Sequence, residues 1–237
     1  MMLNTFSKIA LTAAMIAGAA SASALTLNTT GLKANATLTF SVPAYGSATA
    51  ASISFKPVGN MTYNGDVQVL DPEVGDTSPI PQYNLPVTKA DVKIGWDLSI
   101  KATSGDSTRS ALQLNRRAAR LTLANFKVDF VGKVVKADFI KADGTTTNLN
   151  LYTFEEIIPQ KISFKNLVLN QSVTIGELVL TPEAQNLMGD ALVLSAPLRA
   201  TLVEQKWGEI AILVTSYKRS PAVSNKPYTA ADAAAEQ

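Results

Sequence analysis

Four carboxylates lie close together in the first half of the chain, and their oxygens could bind a metal ion. They are Asp66, Asp71, Glu73 and Asp76. Oxygen ligands of this kind suit Ca²⁺, a hard cation that extracellular proteins often bind. The spacing lacks the alternating ligands, the central glycine and the distal glutamate of an EF-hand loop, so it is also typical of a solvated acidic loop. We keep the four residues as candidate calcium ligands, and no other cofactor is expected.

Three tyrosines in the same part of the chain form a second candidate site: Tyr45, Tyr63 and Tyr83. Phenol rings stack on flat ligands and anchor protein interfaces, and a tyrosine oxygen can ligate haem iron. The structural alternative is that these rings cap the ends of a sheet with their hydroxyls in water. For a small apolar or aromatic ligand such as haem, a lipid or a glycan, we predict a pocket lined by these three residues.

The chain contains no histidine and no cysteine. Their absence excludes Ser-His-Asp and Cys-His catalysis, zinc sites built on these residues and CxxC redox chemistry. No Gly-x-Ser-x-Gly, Ser-x-x-Lys or Gly-x-Gly-x-x-Gly motif is present. Glu155 and Glu156 are adjacent and would point to opposite faces of a strand, so a hydrolytic pair would have to come from distant segments. We expect a protein that is not an enzyme, with a carboxylate-dependent glycoside hydrolase as the alternative.

The N-terminus has the pattern of a secretory signal peptide. A polar start ending in Lys8 is followed by a mostly apolar stretch over 9–16 and a run of small residues over 17–24. Ala22-Ser23-Ala24 fits the cleavage rule, so removal of residues 1–24 is predicted. The apolar stretch is well short of the roughly 20 residues that span a bilayer, and the mature chain is expected to have no transmembrane anchor. We predict a bacterial protein exported to the cell surface or the exterior, or alternatively to the periplasm.

The composition and length of the mature chain indicate its net charge and its division into domains. Of the 21 basic and 19 acidic residues only Lys8 lies in the signal peptide, so the mature chain is nearly neutral and nucleic acid is not an expected partner. Without disulfides, the core and the hydrogen-bond ladders must supply the stability. The length suits one large all-β domain, predicted over 25–218. Residues 219–237 are rich in alanine and are predicted to form a mobile tail with little to bury.

Hydrophobic residues alternate with polar ones along most of the mature chain, which is the period of a half-buried strand. The clearest strand is predicted over 92–101 around Trp96, and a similar run over 192–202 is placed at a sheet edge because it contains Pro197. Trp207 is predicted to be core. Many short strands of this kind indicate an antiparallel β-sandwich or a barrel-like sheet. The other predicted strands are 36–42, 52–58, 121–131, 133–140, 148–152, 161–170, 173–180 and 209–217.

Turn and bulge signals add detail to this sheet. Asn64-Gly65 and Asp143-Gly144 are dipeptides that tolerate positive φ and predict tight hairpins. Changes in hydrophobic phase predict β-bulges near Ala124-Asn125 and at Gly176. The segment 71–86 carries four prolines and is predicted to be a long surface connection.

One short helix is predicted after Thr181, which can cap it, because Pro182 and Glu183 suit the first helical turn. Gly189 is expected to end the helix, and Leu187 and Met188 are expected to face the sheet. The segment 107–120 fits either a short helix or an exposed loop.

These patterns favour a protein whose sheet surface is its working part. We expect a structural or adhesive role at the cell surface, with a filament subunit as one form of it, since Leu25 and Leu27 begin an arm that could complete a neighbour's sheet. Expected partners are other copies of the chain or other surface proteins. The alternative is a soluble periplasmic or secreted protein that binds a small ligand at the tyrosines.

Overall fold

A computed structural model describes residues 23–72, 74–94, 100–165, 168–203 and 205–236. The predicted signal peptide lies outside these residues except for its last two positions, and so does Trp96 of the predicted 92–101 strand. The strands are β1 (Ser23–Asn28), β2 (Leu32–Phe40), β3 (Ser54–Gly59), β4 (Thr62–Leu70), β5 (Thr77–Pro86), β6 (Lys89–Ile94), β7 (Ile100–Arg116), β8 (Ala119–Asp129), β9 (Val134–Lys141), β10 (Gly144–Thr153), β11 (Glu156–Lys165), β12 (Val168–Gly176), β13 (Val179–Leu180) and β14 (Gly208–Lys218). The helices are α1 (Val42–Ala50), α2 (Pro182–Ala191), α3 (Ala196–Val203) and α4 (Ala230–Ala235).

The strands form two antiparallel sheets. The eight-stranded sheet has the order β1-β6-β7-β8-β9-β10-β13, with β3 pairing with β7 beside this path. The six-stranded sheet has the order β11-β12-β14-β2-β5-β4. Neither sheet closes on itself within the described residues, so the predicted all-β sandwich is confirmed and the barrel-like alternative is not formed.

The core lies between the two sheets and is built from the alternating positions of their strands. Leu38 and Phe40 of β2 contribute from the six-stranded sheet, and Leu121 and Phe139 contribute from the eight-stranded sheet. Trp207 is only 2% exposed, which confirms its predicted place in the core. Burial of such side chains supplies the main favourable term in folding, which matters in a chain without disulfides.

The bulge predicted near Ala124-Asn125 is present. The pairing of β8 with β9 shifts between Ala124 and Lys127, and Asn125 adopts a φ of 54°. The second predicted bulge is wrong: β12 ends at Gly176, and the positive φ of 54° belongs to Glu177 in the connection to β13.

Only one of the two predicted hairpin turns is a turn. The Asp143-Gly144 hairpin is confirmed, since Gly144 of β10 pairs with Lys141 of β9. The Asn64-Gly65 hairpin is wrong: β4 runs straight through this dipeptide and stays paired with β5 on both sides of it. The positive φ of Gly65, 91°, is used for a bulge, which needs the same backbone freedom as a turn.

The proline-rich segment is mostly strand, which corrects the prediction of a loop over 71–86. Strand β5 covers Thr77–Pro86, and the connection between β4 and β5 is confined to residues 71–76. Pro81 lies opposite Asp66, directly after the break in register of β4. A proline is tolerated there because a bulge already interrupts the hydrogen-bond ladder.

The predicted helix is present, but it is one of four in the part of the chain that the structure describes. Thr181 caps α2 by accepting a hydrogen bond of 3.2 Å from the main-chain nitrogen of Ala184. The helix continues past Gly189 to Ala191, so the predicted end is wrong. Met188 is 1% exposed and packs into the core with Leu187, as predicted.

The strand predicted over 192–202 is wrong, because residues Ala196–Val203 form α3. Leu194, Leu198 and Leu202 alternate with other residues, but they are also four residues apart and therefore share one face of a helix. The segment 107–120, for which the sequence allowed either a short helix or an exposed loop, is neither of these. It completes β7, turns at Arg117 with a φ of 53° and enters β8.

The C-terminal segment packs against the eight-stranded sheet. Tyr228 is 3% exposed and Ala233 is 8% exposed, in a small cluster with Ala111 and Ala124. The side chain of Asn125 binds the main chain of Tyr228 twice, accepting from its nitrogen at 2.8 Å and donating to its oxygen at 2.9 Å. The expectation that this segment has little to bury is wrong, since one aromatic ring fits over small side chains of the sheet.

None of the helices among the described residues combines the length and the hydropathy needed to cross a bilayer.

Candidate functional site

The three predicted tyrosines come together at one edge of the six-stranded sheet, although each lies on a different element. Tyr63 of β4 and Tyr83 of β5 are cross-strand partners, with ring centroids 6.3 Å apart and the rings edge to face. Tyr45 projects from α1, and Phe40 lies between it and Tyr83, with centroid distances of 6.4 Å and 6.1 Å. Phe55 of β3 stacks on Tyr45 at 6.1 Å. We call these five residues the aromatic cluster.

Local sequence explains how α1 holds its tyrosine at this edge. The hydroxyl of Ser41 caps the helix by accepting from the nitrogen of Ala44 at 3.2 Å, and Pro43 suits the first turn. The main-chain nitrogen of Tyr45 closes that first turn by donating to the oxygen of Ser41 at 3.0 Å. The capped turn directly after β2 therefore fixes where the Tyr45 ring projects.

The residues of the aromatic cluster differ in solvent exposure. Tyr83 is 4% exposed, whereas Tyr63 is 54% exposed because β4 is the edge strand. Edge-to-face packing on a buried ring restrains Tyr63 without covering it. The result is an aromatic surface that is restrained by packing and exposed to solvent at Tyr63.

A carboxylate lies beside this surface. The hydroxyl of Tyr63 donates a hydrogen bond of 2.7 Å to Oδ1 of Asp66, three residues later, across the bulge at Gly65. This hydrogen bond, more than burial, raises the pKa of Tyr63. Burial raises the pKa of Tyr83 to about 12, and the neighbouring Tyr45, Tyr63 and Asp66 add to the increase. Both hydroxyls therefore stay protonated at neutral pH, and Asp66 can accept further hydrogen bonds.

The predicted calcium ligands are distributed differently. Asp66 lies beside the aromatic cluster, where it accepts the hydrogen bond from Tyr63. Asp71 and Asp76 lie in the β4–β5 connection, where the main-chain nitrogen of Asp71 donates a hydrogen bond of 2.8 Å to the main-chain oxygen of Asp76. Glu73 lies outside the described residues. Among the residues that the structure describes, no group of three acidic side chains is placed to hold a metal ion. Calcium binding stays a prediction.

Sequence reasoning missed a row of amide and hydroxyl side chains on the outer face of the same strands. Hydrogen bonds connect five of them in one series from strand to strand. We call this series the polar ladder: Thr37, Asn84, Asn64, Gln82 and Thr39. Alternate polar positions in β2 and β5 were a possible signal, but the pairing of segments about 45 residues apart was needed to join them.

A groove in another part of the molecule contains none of the predicted site residues. This groove of about 680 Å³ runs between the β7–β8 turn, the end of α2 and α4, and is lined largely by alanines such as Ala118, Ala191 and Ala233. None of the three tyrosines lines it. The predicted deep pocket at the tyrosines is therefore not this groove, and the cluster presents a surface.

Comparison with solved structures gives the C-terminal domain of HtaA from Corynebacterium glutamicum. The TM-score is 0.41 and the identity 11%, over 78% of this chain and 98% of that one. No protein-family model and no curated protein matches the chain. The fold and the site define a class, an antiparallel β-sandwich with an exposed aromatic site at one sheet edge.

Proposed function

We propose that this chain is an exported adhesive protein that binds glycans at the aromatic cluster and carries out no catalysis. The exposed ring of Tyr63 beside the carboxylate of Asp66 is the observation that supports it most directly. The C–H face of a sugar packs on an aromatic ring, and its hydroxyls donate to a carboxylate. A surface with both groups in fixed positions meets these two requirements at once.

The other small ligands suit this site less well. Ligation of haem iron by tyrosine uses the phenolate oxygen. The hydrogen bond to Asp66 raises the pKa of Tyr63 and so disfavours that form. A lipid requires a large apolar cavity, whereas Tyr63 lies on the surface of an edge strand. Glycan binding uses the protonated hydroxyl and the exposed ring as they stand.

Export is part of the proposal and is supported by the pattern of residues 1–24. The adhesive form is favoured over a donor-strand filament by the place of the N-terminal arm. Leu25 and Leu27 lie in β1 and pair with Val92 and Ala90 in β6 of the same chain. An arm that pairs within its own sheet is not available to a neighbour.

Binding of the mature protein to a panel of immobilised glycans, followed by calorimetry, tests the proposal. Tyr63→Ala should weaken binding about tenfold or more, as expected for loss of an aromatic anchor. Tyr217→Ala is the matched control, since Tyr217 is 55% exposed and lies at the far end of β14, next to the Lys218–Leu32 pair and away from the Leu38–Tyr83 pair. An equal loss in both variants, or no binding to any glycan, would overturn the proposal.

A further inference from the structure

The polar ladder is organised as a directed series of hydrogen bonds across three strands. Thr37 of β2 donates to Oδ1 of Asn84 at 2.9 Å, and Nδ2 of Asn84 donates to Oδ1 of Asn64 at 2.9 Å. Nδ2 of Asn64 donates to Oε1 of Gln82 at 3.3 Å, and Nε2 of Gln82 donates to the hydroxyl of Thr39 at 2.9 Å. Each amide is thereby held in one orientation.

These amides keep hydrogen-bonding capacity beyond the ladder. A primary amide has two N–H donors and an oxygen that accepts two hydrogen bonds. The ladder uses one donor and one acceptor position of each amide, at Asn64, Gln82 and Asn84. The remaining positions are fixed before any ligand arrives, so little entropy is lost when a ligand binds them.

The register places the ladder in rows that cross the strands. Thr37 lies opposite Asn84, and Asn84 lies opposite Thr62, so one row runs from β2 over β5 to the edge strand. Neighbouring strands are about 4.8 Å apart, and such a row offers a polar side chain at each interval. That interval is close to the rise per sugar of an extended polysaccharide.

The row ends at the aromatic cluster. Tyr63 lies between Thr62 and Asn64 in β4, with its ring on the inner side of the edge. A chain that crosses the outer face along the row therefore reaches the exposed ring by passing over one strand edge. The ladder consists of uncharged amides and hydroxyls, which match the hydroxyls of a neutral sugar and give a charged polymer no counter-charge.

We infer that the ligand is an extended, uncharged polysaccharide, which lies across β2, β5 and β4 on the polar ladder and places one end on Tyr63. This inference rests on the proposed function and names its ligand class. It predicts that affinity increases with the length of the sugar chain until β2, β5, β4 and Tyr63 are all covered, because each additional sugar up to that point reaches another strand or the ring.

Calorimetry with cellulose-type, chitin-type and starch-type oligomers of two to six sugars tests the inference, with polygalacturonate oligomers as the charged comparison. For the neutral oligomer that binds, we expect affinity to rise about tenfold or more from the dimer to the hexamer. Asn84→Leu should abolish this rise and keep the dimer affinity. Asn150→Leu, an exposed asparagine of β10 in the other sheet, should keep both.

Each outcome separates the two proposals. Binding of dimers that depends on Tyr63 but does not strengthen with chain length would overturn the polysaccharide inference and leave glycan binding in place. Tighter binding of the charged oligomer would also overturn the inference. Absence of binding by every oligomer and every panel glycan would overturn both. Thermal melting of Asn84→Leu should match that of Asn150→Leu within a few degrees, which excludes unfolding as the cause.

Discussion

The guanidinium of Arg116 donates a hydrogen bond of 2.8 Å to the main-chain oxygen of Val193, the residue that follows α2 and its cap. The same nitrogen binds the oxygen of Leu192 at 3.1 Å, and Nε binds the oxygen of Ala51 at 2.9 Å. Ala51 is the C-cap residue of α1. One nearly buried cation therefore satisfies the carboxyl ends of two helices, where the helix dipole is negative.

Arg116→Met should lower the free energy of unfolding by about 2–4 kcal/mol, because it leaves the buried carbonyl oxygens of Ala51 and Leu192 without this donor. Urea denaturation followed by tryptophan fluorescence measures this change. Arg117→Met is the control, since Arg117 is exposed in the adjacent turn, and it should change stability by less than about 0.5 kcal/mol. Similar values for the two variants would contradict the role assigned to Arg116.

Val193 itself is strained. It adopts a φ of 51° at a position after a helix where glycine is usual, and it is 71% exposed. The nitrogen of Leu194 bonds to the oxygen of Gly189 and that of Val193 to the oxygen of Asp190, which completes a Schellman motif. A β-branched side chain is unfavourable in this left-handed conformation.

Val193→Gly should therefore raise the free energy of unfolding by about 1 kcal/mol, since the strain disappears and little buried surface is lost. Val193→Ala keeps the Cβ atom and should gain less. A differential melting experiment on the two variants checks this order. Destabilisation by glycine would show that the valine side chain contributes a contact that outweighs its strain.

Asp91 ties β1 to the rest of its sheet and gives the protein an acid-sensitive contact. Hydrogen bonds from Ser104 and Thr26, each 2.6 Å long, lower the pKa of Asp91 from 3.8 to about 2. Because the folded pKa lies below the unfolded value, the stabilisation is complete above about pH 4 and is lost as the pH falls towards 2.

Asp91→Asn should remove this part of the pH dependence, so its free energy of unfolding should fall less than that of the wild type between pH 4 and pH 2. Urea unfolding at several pH values measures both profiles. Thr26→Val removes one donor and should shift the loss to higher pH. Parallel profiles for all three proteins would contradict the assignment.

The predicted tyrosines show how far local patterns lead towards a site. Their ring chemistry and their place in one half of the chain marked Tyr45, Tyr63 and Tyr83 as candidates. Their proximity depends on the pairing of β4 with β5 and on a capped helix after β2, and neither follows from spacing. The amides of the polar ladder carry no local signal of function, because asparagine and glutamine are common on exposed strand faces.

The sequence by itself determined features that depend on neighbouring residues: the alternating strands of a sandwich, the Asp143-Gly144 turn, the cap at Thr181 and the burial of Trp207. The tertiary structure decided the conformation of segments whose local sequence is compatible with two conformations. Gly65 could form a turn or a bulge, and β5 selected the bulge by pairing on both sides of it. Leu194, Leu198 and Leu202 could face inward from a strand or a helix, and both conformations were locally permitted. Long-range pairing and packing contribute more free energy than local propensity at such positions, so only the folded chain placed the aromatic cluster and the polar ladder at the same sheet edge.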